Sequence, residues 1–189
     1  MIKIAITGNI ASGKSQVEKI IGERFTVYDS DKLAHDVLDE LTDFYGLDVF
    51  TEGKIDRKKL GKLVFENSDL KKKLEEIVHP KIKEKILELF EKHKEEQFIF
   101  VSVPLLYEAG FENMFDKVIL VCVDKNIQLE RLMRRNDLSE GEALARINSQ
   151  ILQEEKIDKA DYIIYNNSDL GSLKIQTDNV IRELIKYSL

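Results

Sequence analysis

Apolar residues along the chain fall into two alternating kinds of run. Five short stretches rich in β-branched and aromatic residues read as strands: Ile2 to Thr7, Thr26 to Tyr28, Phe98 to Val103, Lys117 to Val123 and Tyr162 to Tyr165. Several are near-continuously apolar, as suits strands covered on both faces. Between them, apolar positions recur at spacings of three and four. Val17, Ile20 and Ile21 form the inner face of a helix closed by Gly22. Ile82, Ile86, Leu89 and Phe90 form another, for which Pro80 reads as a first helical position. A closing helix over Leu173 to Leu184 carries Leu173, Ile181 and Leu184 inward, with Ile185 just beyond. The alternation predicts an α/β fold of three layers, with a parallel five-stranded sheet between helices.

The spacing of the strands divides the chain further. About seventy residues separate the second and third strand candidates, far more than a crossover requires, and they read as helix almost throughout. They are expected to form a helical substrate-binding insertion at about residues 35–96. Gln128 to Arg135 and Glu140 to Gln150 read as two charged helices, a helical lid at about 124–155 over the sheet's carboxyl edge. The core is then about 1–34, 97–123 and 156–189 of a single domain. The run from Leu70 to Glu76, with Lys71 to Lys73, reads as a solvated helix face.

Composition narrows the classes. A chain of 189 residues, 43% hydrophobic and 34% charged, supports one globular core and is too short for two ordinary domains. Its formal net charge of −6 weighs against nucleic acid as a partner. An anionic ligand must therefore be caught locally, and the arginines suggest where. Of seven, Arg131, Arg134, Arg135 and Arg146 lie in one short stretch, and arginine's planar fork matches phosphate oxygens in pairs. Cys122 is the only cysteine and lies in an apolar run, so no intramolecular disulfide forms and a buried thiol is expected. No basic leader precedes the first strand and no apolar run is long enough to span a bilayer. A cytoplasmic protein, with no membrane partner, is expected.

The decisive segment is Gly8-Asn9-Ile10-Ala11-Ser12-Gly13-Lys14-Ser15, between the first strand and the helix that Gln16 continues. It matches the phosphate-binding loop in pattern and context. Backbone N–H groups of such a loop, with the positive end of the following helix, surround the phosphates of a nucleotide. Lys14 would reach the terminal phosphates and the Ser15 hydroxyl would ligate Mg²⁺.

Other candidates are less specific. Asp29-Ser30-Asp31 follows the second strand, where ligands bind in open α/β sheets. An aspartate there can take the proton of an attacking hydroxyl, or it can cap a helix starting near Lys32. Arg131 and Arg135 share a helix face. They can neutralise a transferring phosphoryl group, or form a solvated surface paired with acids such as Glu130. Pro104-Leu105-Leu106-Tyr107-Glu108 ends the third strand; Glu108 can face the cleft, or the segment can simply pack its leucines inward. His35 and His79 have no metal-ligating company, which leaves a structural or substrate-contact role.

These segments together resemble the dephospho-coenzyme A kinases. The resemblance covers nearly the whole chain, from ITGNIASGKS through YDSDKLAH, HPKI and VPLLYEAGF to QLERLMRRND, ARINSQ and ADYIIYNNS. The loop is shared with many unrelated proteins; the order of the PLLYE segment, the arginine helix, Gln150 and Asn166 is far more specific. The family is similar in fold to the nucleoside monophosphate kinases, a P-loop NTPase fold with a substrate lobe and a lid. The resemblance implies transfer of the ATP γ-phosphate to the ribose 3'-hydroxyl of dephospho-coenzyme A. It puts Asp31 in the catalytic aspartate's place and Arg131 and Arg135 on lid arginines. Asn166 falls on the ATP side, and His79, Leu106 and Glu108 on the substrate side. Its cofactors would be ATP and Mg²⁺, and its oligomeric state monomer or weak homo-oligomer.

Two departures stand out. Ser102 and Val103 end the third strand, where P-loop proteins commonly carry a magnesium-holding aspartate, leaving the metal to Ser15, phosphates and water. Ser168 stands where the family usually has glycine. The rivals are a nucleoside monophosphate or other small-molecule kinase and a GTP-binding switch. Asp43-Phe44-Tyr45-Gly46 and Asp158-Lys159-Ala160-Asp161 imitate motifs of the latter, but the first lies in the helical insertion and the second lacks its leading asparagine or threonine.

Overall fold

The fold was analysed in a computed structural model that describes residues 1–41, 48–52 and 54–188. The segment Asp43 to Gly46 therefore lies outside the described residues. The chain separates into two compact units, one made of Met1–Asp29 with His93–Leu189 and the other of Ser30–Lys92.

The first unit is built on five parallel strands: β1 (Ile2–Thr7), β2 (Val27–Asp29), β5 (Phe98–Ser102), β6 (Lys117–Cys122) and β7 (Tyr162–Tyr165), in the order β2-β5-β1-β6-β7. From β1 the chain runs to the β2 edge, and after β5 it crosses to the other side of β1. That reversal opens a crevice at the carboxyl ends of β1 and β5, where ligands of open α/β sheets bind. Register places Ile6 and Asp29 on either side of Ser102.

Sheet residues are buried on both faces, which explains the near-continuous apolar runs. On one face Ile4, Ile6, Phe98, Phe100, Ile119, Val121 and Ile164 pack with Val17 and Ile21 of α1 (Lys14–Gly22) and with Leu173, Ile181 and Leu184 of α8 (Leu170–Tyr187). On the other, Ala5, Ile99, Val101 and Leu120 are equally buried. Helix α8 begins earlier than the periodicity suggests because Asp169 caps it, accepting from Ser172 N at 2.9 Å. Between β6 and β7 lie α5 (Lys125–Asn136), α6 (Glu140–Asn148) and α7 (Gln153–Ile157). Ser139 and Glu142 form a capping box for α6. The short α7 has no clear apolar period, so nothing in its sequence marks it as a helix.

The second unit holds α2 (Ser30–Asp39), a two-stranded antiparallel pair of β3 (Phe50–Thr51) and β4 (Lys54–Ile55), α3 (Arg57–Glu66) and α4 (Ser68–Lys92). The insertion, expected to be helical almost throughout, also carries this short strand pair, in which Phe50 pairs with Ile55. Two expectations are corrected here. Helix α2 starts at Ser30 rather than near Lys32, so Asp31 lies inside its first turn, where a carboxylate complements the helix dipole. Pro80 lies within α4 rather than at its start. The buried stripe Val78, Ile82, Ile86 and Phe90 runs past the proline. Pro80 and Glu76, whose carbonyl loses its partner to the ring, are both on the exposed face. Lys71 to Lys73 are exposed, as their pattern predicts.

The core predicts a stability test. Phe100→Ala should lower unfolding free energy by about 3–5 kcal/mol, measured by urea denaturation, because the ring is 1% exposed; a loss below about 1 kcal/mol would contradict this packing.

Candidate functional site

The loop between β1 and α1 is shaped by backbone geometry. Ala11 has φ 60° and Gly13 φ 88°, both left-handed, and Ser12 N donates to Asn9 O at 3.0 Å. Left-handed residues two apart turn successive N–H groups toward one concavity, a nest for an anion. The first turn of α1 adds the N–H groups of Lys14 and Ser15, which have no acceptor within the helix. Gly13 tolerates its φ without cost, and it is also sterically required: a Cβ there would lie 2.0 Å from Asn166 Nδ2. At Gly8 a Cβ would lie 2.6 Å from Val121 O.

Side chains from distant segments hold the loop. Gln128 Nε2 donates to Ile10 O at 2.8 Å, Ile10 N donates to Gln150 Oε1 at 2.8 Å, and Asn9 Nδ2 donates to Ile151 O at 3.0 Å. Asn166 Nδ2 donates to Ser12 O at 2.9 Å. Ile10 and Ala11 pack against Leu132, Ala143 and Ile147 of α5 and α6. The two charged helices are thus joined to the loop by hydrogen bonds and apolar contact.

Beside the loop lies a cleft of about 640 Å³ lined by Ala11, Gly13, Ser15, Gln16, Arg131, Arg134, Arg135, Asn166, Ser168, Asp169 and Leu170. Three buried polar atoms around the loop have no hydrogen-bond partner among the described residues: Asn9 Oδ1, Ser12 Oγ and Arg131 Nη1. Buried polar atoms are normally satisfied; of the three residues only Arg131 lines the cleft, where its free Nη1 fits a polar ligand. Among the described residues no carboxylate pairs with Arg131, Arg134 or Arg135, although the protein is acidic overall; Arg135 Nε donates only to Asn136 Oδ1 at 2.9 Å. The arrangement offers amides, hydroxyls and guanidinium groups to a polyphosphate.

Lys14 is engaged by Glu18 and by Ser102 Oγ. Ser102 Oγ in turn donates to Glu18 Oε1 at 2.6 Å. Glu18 reads in sequence as an ordinary helix-surface acid, and only the fold brings it to the end of β5.

The PLLYE segment is more structural than its sequence suggests. Leu106 is fully buried, while Leu105 is 46% exposed. Glu108 Oε1 accepts from Lys156 Nζ at 2.6 Å and Ile151 N at 3.2 Å, leaving Oε2 buried and without a partner among the described residues. Lys156, a member of the charged run QEEKI, is wholly buried, a placement its sequence context does not signal. Burial pushes the Tyr107 hydroxyl up to about 12, and the Cys122 thiol, also near Glu154, to about 12. Asp161, half of the guanine-reading imitation, accepts from Lys117 Nζ and Val118 N at 2.8 Å, at the amino end of β6 and so away from the loop.

Asp31 and His79 belong to the second unit, on α2 and α4. Burial holds the His79 ring below its ordinary imidazole value. Among the described residues no cluster of His, Cys, Asp and Glu could hold a metal, and no helix is long and apolar enough to cross a membrane.

Comparison with known proteins agrees with this geometry. The sequence profile of the dephospho-CoA kinases matches residues 2–172. A dephospho-CoA kinase of Oceanobacillus iheyensis is 38% identical over 191 residues, 95% of this chain and 96% of its own. That of Fusobacterium nucleatum is 43% identical over 178 residues, 90% and 92% of the two chains. The solved dephospho-CoA kinase from Campylobacter jejuni has a TM-score of 0.77 and 38% identity, covering 99% of this chain and 98% of its own.

The buried pair gives a prediction. Glu108→Ala leaves the Lys156 ammonium uncompensated and should cost about 3–5 kcal/mol, whereas Glu108→Ala with Lys156→Met should recover much of it. Denaturant unfolding of both variants checks this, and equal stability of the two would contradict it.

Proposed function

The chain belongs to the dephospho-CoA kinase family, and from that premise we propose which of its residues carry out the phosphate transfer. The enzyme catalyses the last step of coenzyme A biosynthesis, moving the ATP γ-phosphate to the ribose 3'-hydroxyl of dephospho-coenzyme A. The observation that carries the assignment of roles is the nest of loop amides beside a cleft lined by Arg131, Arg134 and Arg135, to which no carboxylate pairs among the described residues.

In this reading ATP places its β- and γ-phosphates in the loop from Gly8 to Ser15, with Gln16 beside them, and its adenine end toward Asn166 and Ser168. Lys14 turns from Glu18 to the terminal phosphates. Arg131 and Arg135 neutralise charge on the transferring group, a contribution worth about 10³- to 10⁵-fold in rate where an arginine makes it. Asp31 takes the proton of the 3'-hydroxyl as its oxygen bonds to the γ-phosphorus and the bond to the leaving ADP breaks. His79, whose imidazole burial holds below its ordinary value, is assigned to the acceptor side. Glu108 Oε2 is assigned there too, whereas burial gives Leu106 a supporting part behind it. Ser15 Oγ, an oxygen donor at the loop, suits magnesium, which when bound offsets phosphate charge. ATP and dephospho-coenzyme A as substrates, Mg²⁺ as cofactor, a cytoplasmic location, a monomer or weak homo-oligomer and no nucleic-acid partner complete the proposal.

Lys14→Ala and Asp31→Asn should each reduce turnover by at least about 10²-fold with the fold intact; near-normal turnover of Asp31→Asn would return that residue to a helix-end role. Arg135→Ala should lower kcat far more than it raises the KM for the acceptor. Incubation with ATP, Mg²⁺ and, separately, dephospho-coenzyme A, AMP, CMP and UMP tests the acceptor: product from the first alone is expected, and a nucleoside monophosphate used equally well would contradict it.

A further inference from the structure

P-loop proteins commonly hold their magnesium with the loop serine and an aspartate from a neighbouring strand end. Here the end of β5 carries Ser102, which is 1% exposed and has no charge to offer. The charge arrives from another direction. Glu18, on α1, accepts the Ser102 hydroxyl proton at 2.6 Å, and the same Ser102 oxygen accepts from Lys14. Glu18 is one helical turn beyond Ser15, so the two share a face of α1.

Glu18 and Ser102 are thereby joined at the end of β5, with Ser15 on the same face of α1 and one negative charge among the three oxygen-bearing side chains. That is the donor set of a magnesium site in which phosphates and several waters supply the remaining ligands. Nucleotide phosphates compete with Glu18 for Lys14. Once Lys14 turns to them, the carboxylate is relieved of its ion pair while Ser102 still orients it.

We propose that Glu18 replaces the missing strand-end aspartate: it is the carboxylate that holds the magnesium hydration shell, with Ser102 as its positioning residue. The inference rests on the kinase reading above. Asp29 is the competing carboxylate, since it is the register partner of Ser102 on β2.

The test measures ATP affinity by calorimetry across a magnesium titration and in EDTA, for the wild type, Glu18→Gln, Asp29→Asn and Glu18→Ala with Ser102→Asp. Thermal unfolding of each protein verifies its fold. Glu18→Gln should raise the magnesium concentration for half-maximal enhancement of ATP binding by about 10- to 100-fold, while affinity in EDTA is unchanged or tighter because Lys14 loses its counter-ion. Restoring the carboxylate at the strand end, in Glu18→Ala with Ser102→Asp, should recover the magnesium response. A magnesium response in Glu18→Gln within about twofold of wild type would overturn the assignment. So would its loss in Asp29→Asn alone, or a drop of ATP affinity in EDTA as large as that in magnesium, which marks a merely structural role. Wild-type protein that binds no ATP under any condition would overturn the kinase reading and this inference together.

Discussion

A phosphate nest works only while its amides face inward, and this chain keeps them so by two means. The first is conformational: Ala11 and Gly13 both occupy the left-handed region, which is strained for alanine and free for glycine. The second is external support. Asn166 closes over Gly13 so tightly that no side chain fits between them, and Gln128, Gln150 and Ile151 hold the loop residues before it. Strain at a functional loop persists when surrounding structure over-determines it, and here the surrounding structure comes from segments more than a hundred residues away.

That support couples the loop to the arginine helix. Ile10 and Ala11 belong at once to the loop and to the apolar cluster around Leu132, so α5 cannot change place without the loop feeling it. The helix that carries the guanidinium groups is thereby packed directly on the loop. Electrostatics points the same way. In a protein of net charge −6, Arg131, Arg134 and Arg135 at one cleft pair with no carboxylate among the described residues, while the buried Lys156 is matched by Glu108. Cations of structural use are neutralised, and those at the cleft are left for a ligand.

Much of this was legible in the sequence, for identifiable reasons. The strands announce themselves because both sheet faces are buried, and the loop because its glycines, lysine and serine fall at fixed spacing between a strand and a helix. What stayed hidden depends on long-range contact. Lys156 and Glu18 sit in charged helical runs that look solvated, and nothing local says that one is sealed in the core and the other meets the end of β5. Pro80 looked like a helix start because the rule for proline is local, whereas the buried stripe carrying α4 past it is tertiary. Phe50 and Ile55 pair across too few residues for any period to show. The acceptor was legible only through family resemblance, since a phosphate loop encodes the donor and leaves the alcohol to the rest of the fold.

The central claim is that the loop grips the outer phosphates rather than the nucleoside. Competition of ATP, ADP, AMP and adenosine against a fluorescent ATP analogue measures it directly. ATP and ADP should bind at least about a hundredfold more tightly than AMP and adenosine, roughly 2.7 kcal/mol; AMP or adenosine competing as well as ATP would contradict the account.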